Sequence, residues 1–86
     1  MKPITLFYLK NCPFCKKAFS CIDTLRQQAA YQSVEIELIE ESEQTELAAQ
    51  YDYYFVPTFY VDGKKVHEGD IDEYEVEAIF KKALEG

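Results

Sequence analysis

The chain reads as an α/β protein, a four-stranded mixed sheet flanked by three helices in the order β-α-β-α-β-β-α. Three observations predict it. Apolar residues recur at strand period in three places and at helical period between and after them. An Asp62-Gly63 pair separates two β-prone runs, the strongest short-range hairpin signal. Asp72 with Glu75 three residues on forms a capping-box signature ahead of a last apolar-periodic segment.

The elements follow in order. "PITLFYL" (3–9) is apolar and β-prone throughout, as a strand buried on both faces should be. Phe14, Ala18, Cys21 or Ile22, Leu25 and Ala29 then recur at helical spacing, which predicts an amphipathic helix from 13 to about 29. "SVEIELIE" (33–40) sets Val34, Ile36 and Leu38 against Glu35 and Glu37, a strand with one wet face. "SEQTELAAQY" (42–51) offers Ser42 as the N-cap of a short second helix. Residues 57–69 are the hairpin, and the closing helix presents Val76, Ile79, Phe80, Ala83 and Leu84. A helical crossover makes the first two strands parallel, and the hairpin must be antiparallel.

With 86 residues, 48% of them apolar, six Phe and seven Tyr, the chain is expected to form a single domain over residues 1–86. Three Gly, three Pro and no low-complexity tract argue against disorder. No run approaches the ~18 apolar residues of a membrane span. "MKPITLFYLK" carries no small-residue cleavage site and reads as a first strand, so a cytoplasmic location is expected. The net charge of −7 speaks against nucleic acid as a partner, since phosphate binding needs a basic surface. Of nine basic residues, Lys2, Lys10, Lys16 and Lys17 precede the first acid, Asp23. The remainder sets five basic residues against sixteen acidic ones, a net of −11. The positive end of the chain is therefore the end that holds "CPFC".

Cys12 and Cys15 stand at the predicted strand-to-helix turn. Pro13 suits the first helical position, where no N–H is needed and φ is preset. Cys12 then falls at the N-cap, where free backbone N–H groups and the positive end of the helix dipole favour an anion. Lys10 and Lys16 add to that. Cys15 lies one turn deeper, within reach of a disulfide but less exposed. An exposed nucleophile and a shielded resolving thiol are what thiol–disulfide exchange needs. Zinc is a competing use of the pair, with Cys12, Cys15, Cys21 and His67 the available ligands. Cys21 lies about 9 Å further along the helix than Cys15, too far for a shared metal or a disulfide while the helix is intact.

CPFC after the first strand, "FVPTF" some forty residues on and a hairpin beyond it together resemble the thioredoxin-fold oxidoreductases over nearly the whole chain. In length and motif the chain is most similar to glutaredoxins. The resemblance implies a thioredoxin fold, a Cys12–Cys15 redox-active disulfide, and catalysis by Cys12 with Cys15 resolving. It further implies a cis Val56-Pro57 bond beside the couple, and a substrate-binding surface of Lys10, Pro13, Phe14, Val56, Pro57 and Asp70. No bound cofactor or metal is implied. The expected partners are disulfide-containing proteins, with glutathione or a thioredoxin-reductase-type flavoprotein as electron donor to a monomer.

The pattern is mixed between subfamilies. Phe55 replaces the Thr of the glutaredoxin Thr-Val-Pro, and "AAQYDYYFVPT" is closer to thioredoxin. His67-Glu68 replaces the Gly-Gly that makes room for glutathione, while Asp70 keeps the position of the following Asp. Glu68 there would bring bulk and like charge toward a glutathione carboxylate. No Trp precedes the motif, and Leu6 stands where thioredoxins bury an Asp. The iron–sulfur glutaredoxins usually carry Gly or Ser within or at the end of the motif, which this chain lacks. A binding module that holds a metal or a partner through CPFC is the alternative.

Overall fold

The structure, a computed structural model, describes residues 1–85. Four strands form one sheet in the order β2-β1-β3-β4: β1 (Ile4–Tyr8), β2 (Ile36–Glu40), β3 (Thr58–Val61) and β4 (Lys64–Glu68). The helices are α1 (Pro13–Arg26), α2 (Thr45–Ala48) and α3 (Glu73–Leu84). β1 runs parallel to β2, with Leu6 opposite Leu38, and antiparallel to β3, with Leu6 opposite Phe59. This is the expected element order, sheet and pairing.

Because β1 and β3 are central, their successive side chains are buried on opposite faces. On one face Ile4, Leu6, Phe59 and Val61 meet Ala18, Ile22 and Leu25 of α1 and Val76, Ile79, Phe80 and Ala83 of α3. On the other, Phe7 and Tyr60 meet Ile39 and Ala48, with Tyr51 and Tyr53 packed against them. Phe7 sits within a cage of rings, 4.7 Å from Tyr51 and 4.9 Å from Tyr53 between centroids.

Four details differ from the sequence expectation. Helix α1 stops at Arg26, because the chain tightens into a 3₁₀ turn over Ala29–Tyr31 that buries Tyr31 against Phe80. The Tyr31 hydroxyl donates to Glu77 there (2.8 Å), and Ala29 is left exposed. Leu38 is exposed although in phase with Val34 and Ile36, since β2 is an edge strand with a neighbour on one side only. Ser42 caps nothing: its N–H and hydroxyl both donate to Glu40 Oε1, each at 2.6 Å. Helix α2 is in consequence a single turn that begins after Gln44 without a side-chain cap. Leu84 ends α3 half-exposed, just beyond the stripe that Val76, Phe80 and Ala83 bury.

The hairpin and last helix form as the sequence requires. Asp62 (φ 53°) and Gly63 (φ 79°) both adopt the left-handed region that a two-residue turn of this hand demands. The capping box closes from both sides: Glu75 N–H donates to Asp72 Oδ1 (2.8 Å), and Asp72 N–H to Glu75 Oε1 (3.2 Å). Among the described residues, no helix is long and apolar enough to cross a membrane.

Candidate active site

The site lies where β1 turns into α1. Cys12 is the N-cap residue in extended conformation (φ −92°, ψ 119°), with Pro13 inside the first turn. Its backbone carbonyl accepts the first helical bond from Lys16 N–H (3.0 Å), and its sulfur accepts the Cys15 N–H at 3.4 Å. A sulfur thus takes the place that a Ser or Asp oxygen takes in other caps, facing a helix N-terminus whose first turn holds no acid. Cys12 is half-buried, whereas Cys15 is only 1% exposed. Burial pushes the Cys15 thiol up to about 12, opposed by the Leu9 N–H and reinforced by the neighbouring Cys12 sulfur. Cys15 is therefore a neutral thiol directly behind the half-buried Cys12 sulfur. All three cysteines are free.

A second loop closes on the motif from β3. The Val56-Pro57 peptide bond is cis, and the Val56 carbonyl lies 3.9 Å from Cys12 Sγ. Most anchors of this loop come from the hairpin, with Glu41 accepting the Tyr53 hydroxyl as well. The Tyr60 hydroxyl donates to Asp52 O (2.7 Å), the Thr58 hydroxyl to Phe55 O, and Gly69 N–H to Pro57 O (2.8 Å). Glu68 Oε2 accepts the N–H groups of Tyr54 (2.5 Å) and Phe55 (2.9 Å), while its Oε1 accepts from Lys65 Nζ (2.8 Å). These donors, the Lys65 ammonium first, hold the Glu68 carboxyl down at about 2. Glu68, at the end of β4, thus ties that strand to the segment of Tyr54 and Phe55.

The substrate-binding residues read from the sequence divide into three groups. Pro13, Phe14, Val56 and Pro57 gather with the two cysteines, and Phe14 stands 53% exposed beside them. Lys10 borders a depression of about 430 Å³ shared with Leu9, Asn11, Cys12, Glu40, Ser42 and Glu43, with its ammonium paired to Glu43. Asp70 pairs with Lys17 (3.2 Å), and its carbonyl oxygen meets His67 Nε2 (2.7 Å). Among the described residues Asp70 makes no hydrogen bond to either motif cysteine, and no group of three or more His, Cys, Asp or Glu could hold a metal ion.

Two carboxylates escaped the sequence reading, and the partners of a third were not legible in it. Glu40 is buried (4% exposed) and accepts Lys10 N–H at 3.1 Å besides its two bonds from Ser42. It ties the segment before Cys12 to the turn after β2. The Ser42 hydroxyl, more than any other partner, holds its carboxyl below the ordinary range against the opposing effect of burial. Its signal was present, since Glu40 is in phase with the inward Val34 and Ile36. Glu41 accepts the Tyr53 hydroxyl (2.7 Å), and burial with this bond pushes the Tyr53 phenol up. Glu68, the third, gives no sign in sequence that its partners are backbone amides fourteen residues away.

Comparison with known proteins agrees with this fold. The family model described as a thioredoxin domain matches residues 3–81. The chain belongs to that family and is a thioredoxin-fold oxidoreductase by class. Among solved structures it is similar to a thioredoxin from Malassezia sympodialis (TM-score 0.73, 19% identity, covering 95% of this chain and 74% of that one). It is also similar to desulfothioredoxin from Desulfovibrio vulgaris Hildenborough in its reduced form (0.69, 25%, 94% and 80%). A third is mitochondrial thioredoxin 3 from Saccharomyces cerevisiae in its oxidised form (0.71, 25%, 94% and 77%). A comparison with curated proteins finds no sequence match.

Proposed function

We propose that the chain reduces protein disulfides by dithiol exchange, with Cys12 as nucleophile and Cys15 as resolving thiol. The observation that carries this reading is the pairing of a half-buried sulfur on a helix N-terminus with a neutral thiol one turn behind it. Cys12 thiolate attacks one sulfur of the substrate disulfide, forming a mixed disulfide and expelling the other as a thiolate. That thiolate takes up a proton. Cys15 then gives up its own proton and attacks Cys12 Sγ, so the second substrate thiol leaves and a Cys12–Cys15 disulfide remains. Two electrons have passed from the chain to the substrate, and a donor must return them.

The donor is glutathione in a glutaredoxin-like reading and a flavoprotein reductase in a thioredoxin-like one. Neither reading requires a bound cofactor, and both place the chain, as a monomer, in a reducing compartment such as the cytoplasm. Glu68 in place of Gly, and the pairing of Lys10 and Asp70 to side chains of this chain, support weak turnover with glutathione. Parallel assays with glutathione plus glutathione reductase, and with thioredoxin reductase, test this. Faster turnover with thioredoxin reductase is expected. Turnover with neither, together with stoichiometric zinc or iron in the reduced protein, would favour the binding-module alternative.

A further inference from the structure

We propose that Glu68 is a positioning residue for this site: by gripping the N–H groups of Tyr54 and Phe55 it holds the loop that seats Val56 against Cys12, and so favours disulfides carried in polypeptide over small ones. The inference rests on the dithiol reading above and names the substrate class of the same site.

Two successive N–H groups of one loop point at a single carboxylate oxygen, and the other oxygen is fixed by Lys65. The Glu68 side chain is only 20% exposed, and as an ionised acceptor it makes both bonds charge-assisted. The other anchors act on different atoms: Tyr60, Thr58 and Gly69 all donate to loop carbonyls. Among the described contacts Glu68 alone accepts from the N–H groups of Tyr54 and Phe55. Releasing them leaves the loop held on one side of its backbone only, immediately before the Val56 carbonyl, 3.9 Å from the nucleophilic sulfur.

The clasp also decides what the loop presents. With its backbone turned in toward Glu68, the loop leaves Tyr54 86% and Phe55 68% exposed, and Phe14 stands out from the start of α1. A substrate long enough to lie along this loop meets two rings and the Val56 backbone. A small disulfide reaches Cys12 without touching the two rings. Loss of the clasp should therefore raise KM for a protein disulfide and leave attack on a small one nearly unchanged.

Wild type, Glu68→Gln and Glu68→Ala are compared on insulin with dithiothreitol as reductant, and on 5,5′-dithiobis(2-nitrobenzoate) as pre-reduced protein freed of dithiothreitol, in a single turnover. Amide hydrogen exchange of Tyr54 and Phe55 is followed in each. For Glu68→Ala, kcat/KM on insulin is expected to fall about tenfold, mostly through KM, with less than a twofold change on the small disulfide. Both amides should exchange at least about tenfold faster. Glu68→Gln keeps one oxygen able to accept both amides and should recover most of the insulin activity. An equal fall on both substrates, or unchanged amide exchange in Glu68→Ala, overturns the proposal. If Glu68→Ala fails to fold, Glu68→Gln must still exchange faster at these amides and lose more on insulin than on the small disulfide. A wild type that reduces neither disulfide overturns the dithiol reading and the substrate preference together, whereas the amide exchange reads the clasp by itself.

Discussion

Replacing Cys15 by Ser separates the two steps of the exchange. Cys12 keeps its sulfur, its place on the helix and the Cys15 position's N–H, so attack on a disulfide proceeds. The second step has no thiol to perform it. Cys21 cannot substitute, because six residues of helix put it about 9 Å further along the axis. The mixed disulfide should accumulate to one equivalent and persist until external thiol is added. The cost to the fold is modest. The Ser hydroxyl replaces a thiol at a site 1% exposed, where burial is the dominant influence. Burying a poorly paired hydroxyl costs about 1–2 kcal/mol. For a domain of this size that lowers Tm by about 5–15 °C, leaving the protein folded at room temperature. Intact mass after incubation with glutathione disulfide reads the adduct, and thermal unfolding reads the cost. A Cys15→Ser protein that stays unmodified while Cys12→Ser becomes glutathionylated would reverse the assigned roles.

Cys12→Ser should reduce disulfide turnover to background, because it removes the only sulfur placed on the helix N-terminus; activity retained above background in an insulin assay would refute this. Cys21→Ala should leave turnover within about twofold of wild type and cost about 1 kcal/mol or less, as its half-buried thiol only packs against the α1–α3 core. A native disulfide to Cys21 would contradict both that claim and the helix bounds. Glu68 makes stability depend on acid pH. Its folded value of about 2 lies below the ordinary 4.5, so its contribution is complete above the ordinary value and is lost as pH falls through about 2. Denaturant titrations between pH 5 and pH 2 should show a decline that is shallower in Glu68→Ala, and parallel curves would count against the clasp.

The fold was legible because its signals are local. Pro13 inside a first turn, Asp62-Gly63 between strands and Asp72 with Glu75 each depend on a few neighbouring residues, and each does what backbone chemistry requires. The element bounds failed where particular side-chain contacts decide. Tyr31 ends α1 early by reaching Phe80 and Glu77, and Glu40 takes Ser42 away from the helix it was expected to cap. The placement of Cys12 and Cys15 at a helix start was legible for the same reason as the turns, since a thiol, a proline and a helix start are adjacent in sequence. The second half of the site was not. That Glu68 holds Tyr54 and Phe55, and that Asp70 pairs with Lys17, follows from how β4 and the preceding loops are brought together. No spacing rule encodes it.

The most direct test of the account is a redox titration of the wild-type chain in dithiothreitol buffers, with alkylation and intact-mass counting of free thiols. One reversible two-electron transition is expected, in which three alkylated cysteines fall to one and the one that remains is Cys21. A titration that leaves all three cysteines alkylated under oxidising buffer, or that pairs Cys21 with either motif cysteine, would contradict a Cys12–Cys15 couple.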